Sequence, residues 1–120
     1  MLIEMEASGF TIPTPIQAQL LPLALSGYDV LAISKPGSGK THAYVWPLVV
    51  HAVNQAHPLP YEGPTAVVVV PTRGAANRVA EYITQYGAVY KLRVSAIGGE
   101  PGKSCSRFLL CCMTPSVIRF

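Results

Sequence analysis

The run from residue 30 to residue 41 constrains this chain most. An apolar stretch, Val30-Leu31-Ala32-Ile33, enters Ser34-Lys35-Pro36-Gly37-Ser38-Gly39-Lys40-Thr41, and a helix-like run follows. Gly37 and Gly39 can take backbone angles closed to residues with side chains, so consecutive N–H groups can turn inward around an anion. In that setting Lys40 brings a point charge to the β and γ phosphates of a nucleotide, and the Thr41 hydroxyl can ligate Mg²⁺. The helix beginning there points the positive end of its dipole at the same place. The usual pattern opens with Gly, and here its first position is Ser34. A Gly-rich turn without function is the competing reading, and few such turns have an apolar strand before them and an amphipathic helix after them.

At 120 residues the chain has the length of one domain with a small core. Half the residues are apolar and only 12% are charged, a balance that predicts an exposed apolar edge. The start, Met1-Leu2-Ile3-Glu4-Met5-Glu6, is acidic where a secretory signal is basic, and no run reaches the length of a membrane span. The expectation is an intracellular protein, cytoplasmic or nuclear. Cys105, Cys111 and Cys112 have neither even number nor Cys-x-x-Cys spacing, and His42, His51 and His57 show no ligand spacing with them. Buried thiols and ordinary histidines are expected. Charge divides by position: residues 1–70 carry a net −2, and residues 71–120 a net +5. A basic second half suggests an anionic partner, most often nucleic acid, with a solvated basic face as the alternative.

Leu2 to Ser8 reads as a short helix ended by Gly9. Pro13 and Pro15 hold the next stretch extended, and Ile16 to Leu25 forms a helix with Gln17 in its first turn. Beside a phosphate loop, the Gln17 carboxamide can donate and accept at once, as reading the N6 and N7 edge of adenine requires. His42 to Val53 reads as a helix packed on a sheet, with Trp46 as core more than as a stacking platform. Asn54 to Pro64 is a surface connection. Thr65 to Val70 is too continuously apolar to be half-exposed and predicts a central strand of a parallel sheet. It runs into Pro71-Thr72-Arg73, placed beyond a strand end where a phosphodiester can be met. Ala75 to Tyr86 is helical, with Val79, Ile83 and Tyr86 on one face; Leu92 to Ala96 and Phe108 to Met113 are further strands. Gly98-Gly99 could offer N–H groups to a phosphate or form a simple turn.

The spacing of Gly9-Phe10, Pro13-Thr14-Pro15-Ile16-Gln17 and Pro36-Gly37-Ser38-Gly39-Lys40-Thr41 resembles the Q motif and motif I of DEAD-box RNA helicases. Pro71-Thr72-Arg73 resembles motif Ia, continuing Gly74-Ala75-Ala76 where the family has Glu-Leu-Ala. Gly98-Gly99 resembles the GG motif. Thr114-Pro115-Ser116-Val117 resembles motif Ib, Thr-Pro-Gly-Arg, without its basic residue. The resemblance implies a three-layer α/β, RecA-like P-loop domain with a mostly parallel sheet, incomplete, over residues 1–120. The motifs would occupy residues 9–17, 34–41, 71–76, 98–99 and 114–117. It further implies ATP and Mg as cofactors, held by Phe10, Gln17, Gly37, Ser38, Gly39, Lys40 and Thr41, with Thr41 reaching the metal through the nucleotide. RNA would be met through its backbone phosphates by Pro71, Thr72, Arg73, Gly98, Gly99, Thr114 and Pro115. A second RecA-like domain of the parent protein would supply the arginine finger.

Hydrolysis by this fold needs an Asp holding Mg²⁺ and a Glu orienting water. Asp29 is the single Asp and precedes the loop, while Glu62, Glu81 and Glu100 fall in a connection, in a helix and after the glycine pair. No catalytic residue is therefore expected within this chain, which looks cut before the Asp-Glu-Ala-Asp motif. The readings ahead of structure are part of an RNA-dependent ATPase, or a module holding ATP or RNA without unwinding, as in degenerate Tudor-associated helicase domains. A small P-loop kinase is the third, and the lid arginines it would need do not follow the loop.

Overall fold

The computed structural model describes residues 5–6, 9–56, 63–97 and 109–115. Met5 and Glu6 are helical, and Gly9 at φ +83° returns its N–H to the Glu6 carbonyl, as expected of a helix ended by Gly9. Helix α1 spans Pro15–Leu25. Thr14 is its extended N-cap and Pro15 its first residue, where a missing N–H costs nothing. Helix α2 spans Lys40–Asn54 and starts directly from the Gly-rich loop. Strand β1, Ala66–Val70, leads through the N-cap Thr72 into helix α3, Arg73–Gly87, and a 3₁₀ turn at Ala88–Tyr90 delivers strand β2, Leu92–Ile97. Strand β3 is Leu109–Pro115. The three later helices and the three later strands expected are present with ends moved by a residue or two, while most of the expected Leu2 to Ser8 helix lies outside the described residues.

The core lies between the helices and one sheet face. Val45, Trp46, Val49 and Ala52 of α2 meet Ala76, Val79, Ile83 and Tyr86 of α3 over Ala66 and Val70 of β1. The predicted face of Val79, Ile83 and Tyr86 is the buried one, because those positions return to one side at the helical period.

Three expectations meet a different arrangement. Val30–Ile33 belongs to no strand, and Leu31 and Ile33 are 89% and 86% exposed. Strand β1 is not enclosed: Ala66, Val68 and Val70 face the helices, while Val67 and Val69 are exposed. Among the described residues, no helix covers that second face. A continuous apolar run records where a strand would be stable, and without a covering layer only alternate residues are buried.

The third difference concerns direction. The sheet order is β1-β3-β2, and both pairings are antiparallel, so β1 and β2 run parallel to each other on either side of β3. The β1-α3-β2 passage has the helical crossover that parallel strands need. Between Ile97 and Leu109 the chain has only eleven residues, short for a crossover helix but enough to return β3 antiparallel.

Candidate functional site

The Gly-rich loop is closed by its own polar groups. Ser34 Oγ and Ser38 Oγ are 2.6 Å apart, and the Ser38 N–H reaches the Lys35 carbonyl at 3.3 Å. Gly37 and Gly39 have φ of +77° and +90°, so the left-handed steps expected of these glycines are present. The Lys40 ammonium donates to the carbonyls of Ser34 and Lys35, the latter at 2.7 Å. It thus lies across the loop mouth on neutral acceptors that an anion can replace. Thr41 is half-buried on the first turn of α2.

Gln17 ties α1 to this loop. Its side chain is fully buried; Oε1 accepts the Thr14 N–H at 2.9 Å, and Nε2 donates to the Gly39 carbonyl at 3.2 Å. The same carbonyl accepts the Ala43 N–H, so Gly39 joins the helix ladder and Gln17 at one atom. A Cβ on Gly39 would stand 2.7 Å from Gln17 Nε2 and 3.1 Å from Thr14 Oγ1. Glycine is required there by both angle and space. The Gln17 carboxamide keeps one N–H and one lone pair beyond these two bonds.

Phe10 is half-buried, with its ring 4.6 Å from His42 and 5.2 Å from Trp46. His42 is a hub that reading by sequence passed over as ordinary. Its ring also lies 4.4 Å from Tyr82, 5.5 Å from Trp46 and 6.1 Å from Tyr86. Burial holds its pKa below the usual 6.5. The signal was available in two i, i+4 pairs, His42 with Trp46 and Tyr82 with Tyr86, each on one helix face. A cavity of about 560 Å³ adjoins the cluster, lined in part by Phe10, Ile12, Pro13, Gln17, Leu21 and Trp46. Trp46 Nε1 is buried without a hydrogen-bond partner, and the Thr14 side chain faces the Gln17 backbone N–H in a capping box.

The expected nucleic-acid residues divide. Pro71, Thr72 and Arg73 are exposed between the carboxyl end of β1 and the start of α3. Thr72 Oγ1 accepts the Ala75 N–H at 3.2 Å, leaving its own proton to donate. Ile97 ends β2 on the same side, beside Leu110 as Val70 is beside Leu109, while Gly98, Gly99, Ser116 and Val117 lie outside the described residues. Thr114 and Pro115 pair with Arg93 and Leu92 at the other end of the sheet, about 17 Å away at strand rise. The antiparallel course of β3 separates them from Arg73.

Chemically, the loop end offers a caged ammonium, N–H groups of a helix start and a hydroxyl, a donor set suited to phosphate oxygens and a hard cation. Among the described residues, no helix is long and apolar enough to cross a membrane. Residues 14–119 match the family model described as DEAD/DEAH box helicase. The chain is 43% identical over 99 residues to the ATP-dependent RNA helicase DDX42 of Xenopus laevis, covering 82% of this chain and 10% of that protein. It is also 43% identical over 101 residues to the ATP-dependent RNA helicase dbp2 of Sclerotinia sclerotiorum, covering 83% and 18% respectively. Among solved structures, the RNA helicase Prp28 of Chaetomium thermophilum, bound to ADP, superposes with a TM-score of 0.70 at 27% identity. That match takes in 86% of this chain and 24% of the other. The chain thus spans between a tenth and a fifth of the length of these curated relatives.

Proposed function

Since the chain belongs to the DEAD/DEAH box helicase family, we propose that it is the ATP-binding and RNA-contacting part of an ATP-dependent RNA helicase. The observation that carries this reading is the Gln17–Gly39–Lys40 constellation, in which a buried glutamine and a caged ammonium meet at one glycine-shaped loop. Its residues fit a nucleotide's phosphate tail. Lys40 exchanges the Ser34 and Lys35 carbonyls for phosphate oxygens, Gly37, Ser38 and Gly39 present backbone to them, and Thr41 holds Mg²⁺ through the nucleotide. When bound, the metal neutralises charge that builds on the phosphates. Gln17 turns its remaining N–H and lone pair to adenine, and Phe10 fixes the segment that carries it.

RNA is met through its phosphates by Thr72 and Arg73 beside Pro71, at the sheet end where Gly98 and Gly99 follow β2. Arg73 supports this role. A cation on the first residue of α3 is unfavourable against the helix dipole, and an anion bound there relieves it. Backbone contacts of this kind read no sequence. The remainder of the parent protein supplies the second RecA-like domain and the residues of hydrolysis. A second reading, a module holding ATP or RNA without unwinding, draws on the position of Thr114 and Pro115 away from Arg73.

The test is equilibrium binding of a fluorescent ATP analogue with Mg²⁺. Affinity is expected to vanish in Lys40→Ala, and the preference for ATP over GTP to collapse in Gln17→Ala. A folded wild-type chain that binds no nucleotide would overturn the reading.

A further inference from the structure

The chain departs from the usual phosphate-loop pattern at its first position, where Ser34 stands in place of Gly, and the nucleotide reading gives that side chain no task. The structure gives it a partner. Its Oγ is 2.6 Å from Ser38 Oγ, four residues on, and both residues are half-buried. A glycine at the first position could not make this bond. The bond spans a turn in which donors of the loop are already engaged. The Lys35 carbonyl accepts the Ser38 N–H at 3.3 Å and the Lys40 ammonium at 2.7 Å, and the Ser34 carbonyl accepts the same ammonium. Two groups that a phosphate needs, a loop N–H and the lysine charge, are thus held at one carbonyl oxygen. Freeing both means parting the Lys35 carbonyl from Ser38, and Lys35 directly follows the residue whose side chain is tied to Ser38.

We infer that Ser34 is a positioning residue whose hydroxyl latches the loop shut, so that a nucleotide must break the Ser34–Ser38 bond to draw the Ser38 N–H and Lys40 onto its phosphates. The inference rests on the nucleotide reading above. It adds to that reading a conformational cost carried by one side chain. A ligand that needs the open loop binds with its affinity reduced by the fraction of molecules that are open. One neutral hydrogen bond between hydroxyls is worth about a fivefold change in the balance of closed and open loops. The latch acts where phosphate binds, so it weakens adenine and guanine nucleotides alike, whereas Gln17 separates them. Removing the hydroxyl therefore tightens binding. Loss of a residue that merely supports the loop would do the opposite.

The experiment pairs calorimetric titration of the full 120-residue chain with ATP and GTP, in the presence of Mg²⁺, with amide-exchange protection at residue 38 in the free chain. Wild type, Ser34→Ala, Ser38→Ala and the double variant are compared. Both substitutions remove the hydroxyl bond and keep every backbone N–H. Ser34→Ala should bind ATP and GTP about fivefold more tightly than wild type, and protection at residue 38 should fall by the same factor. In the Ser38→Ala background, where the bond is already gone, Ser34→Ala should change neither quantity. An ATP affinity that stays the same or falls in Ser34→Ala would overturn the inference and leave the nucleotide reading standing. An equal gain in both backgrounds would also overturn it, because the effect would then belong to Ser34 without Ser38. If Ser34→Ala does not fold by circular dichroism, Ser38→Ala decides: protection at residue 38 drops if the latch holds the loop and is unchanged if it does not. Wild type and variants that are all folded and all bind no nucleotide end both readings.

Discussion

The loop end and the sheet of this molecule are built on opposite terms. At the loop, the buried Gln17 carboxamide takes the Thr14 N–H and gives a proton to the Gly39 carbonyl, while the Lys40 ammonium is held by the carbonyls of Ser34 and Lys35. On the sheet, strand residues Val67, Val69 and Ile97 stay exposed, and Val30–Ile33 pairs with no strand among the described residues. A few polar bonds suffice to fix the loop, whereas apolar closure of the sheet requires a whole layer. The nucleotide end is therefore expected to respond steeply to single substitutions, and the open face hardly at all.

The largest effect is expected from Gly39→Ala. A side chain at φ +90° costs about 1–2 kcal/mol, and the new Cβ would displace Gln17 Nε2, adding the loss of a buried hydrogen bond. Destabilisation on the order of 3 kcal/mol in urea unfolding, together with lost nucleotide binding, should follow. An unchanged midpoint would show that the loop is not a rigid unit. Gln17→Ala comes next. It strands the Thr14 N–H and removes one bond from Gly39, a cost of about 1–3 kcal/mol. Amide exchange should rise at Thr14 and in the loop before it rises in α3. Uniform acceleration would mean that Gln17 is ordinary core.

The same contrast explains what could be read ahead of structure. The Gly37-Ser38-Gly39-Lys40-Thr41 stretch, Gln17 and the α3 face declared themselves because local chemistry or helical period decides each of them. The family's α/β class followed from motif spacing. What escaped is decided by partners distant in sequence. Val30–Ile33 is strand-forming in composition and has no strand beside it among the described residues. Val67 and Val69 are apolar because a strand can use them, yet their exposure depends on what lies opposite. The direction of β3 turns on the length of the passage from Ile97 to Leu109, and it sends Thr114 to the far end of the sheet from Arg73. His42 was missed because four aromatic neighbours arrive from three separate segments.

His42 sharpens the comparison through pH. Burial lowers its folded pKa, so the unfolded chain takes up the proton first as acid is added, near 6.5. In that interval the unfolded state binds more protons, and stability therefore rises with pH. The contribution is fully present above 6.5, declines as pH falls through it toward the lower folded value, and is constant below that. Urea midpoints at about pH 7.5 and about pH 5.5 should differ more in wild type than in His42→Phe, which keeps a ring among Phe10, Trp46 and Tyr82 and cannot titrate. An equal difference in both proteins would place the pH response elsewhere.

The smallest effect belongs to the open face, and its smallness is the informative part. Val69 is 55% exposed on β1, on the side that no described helix covers. A lysine there keeps its charge in water and its stem along the strand, so stability should change by no more than about 0.5 kcal/mol. Solubility should nevertheless increase, because the substitution interrupts an apolar surface that other chains can cover. Static light scattering of Val69→Lys against wild type, with urea midpoints measured in parallel, separates the two quantities. A clear loss of stability would show Val69 buried against a layer of protein in solution. The sheet would then be closed as the loop end is, and the contrast between them would fall.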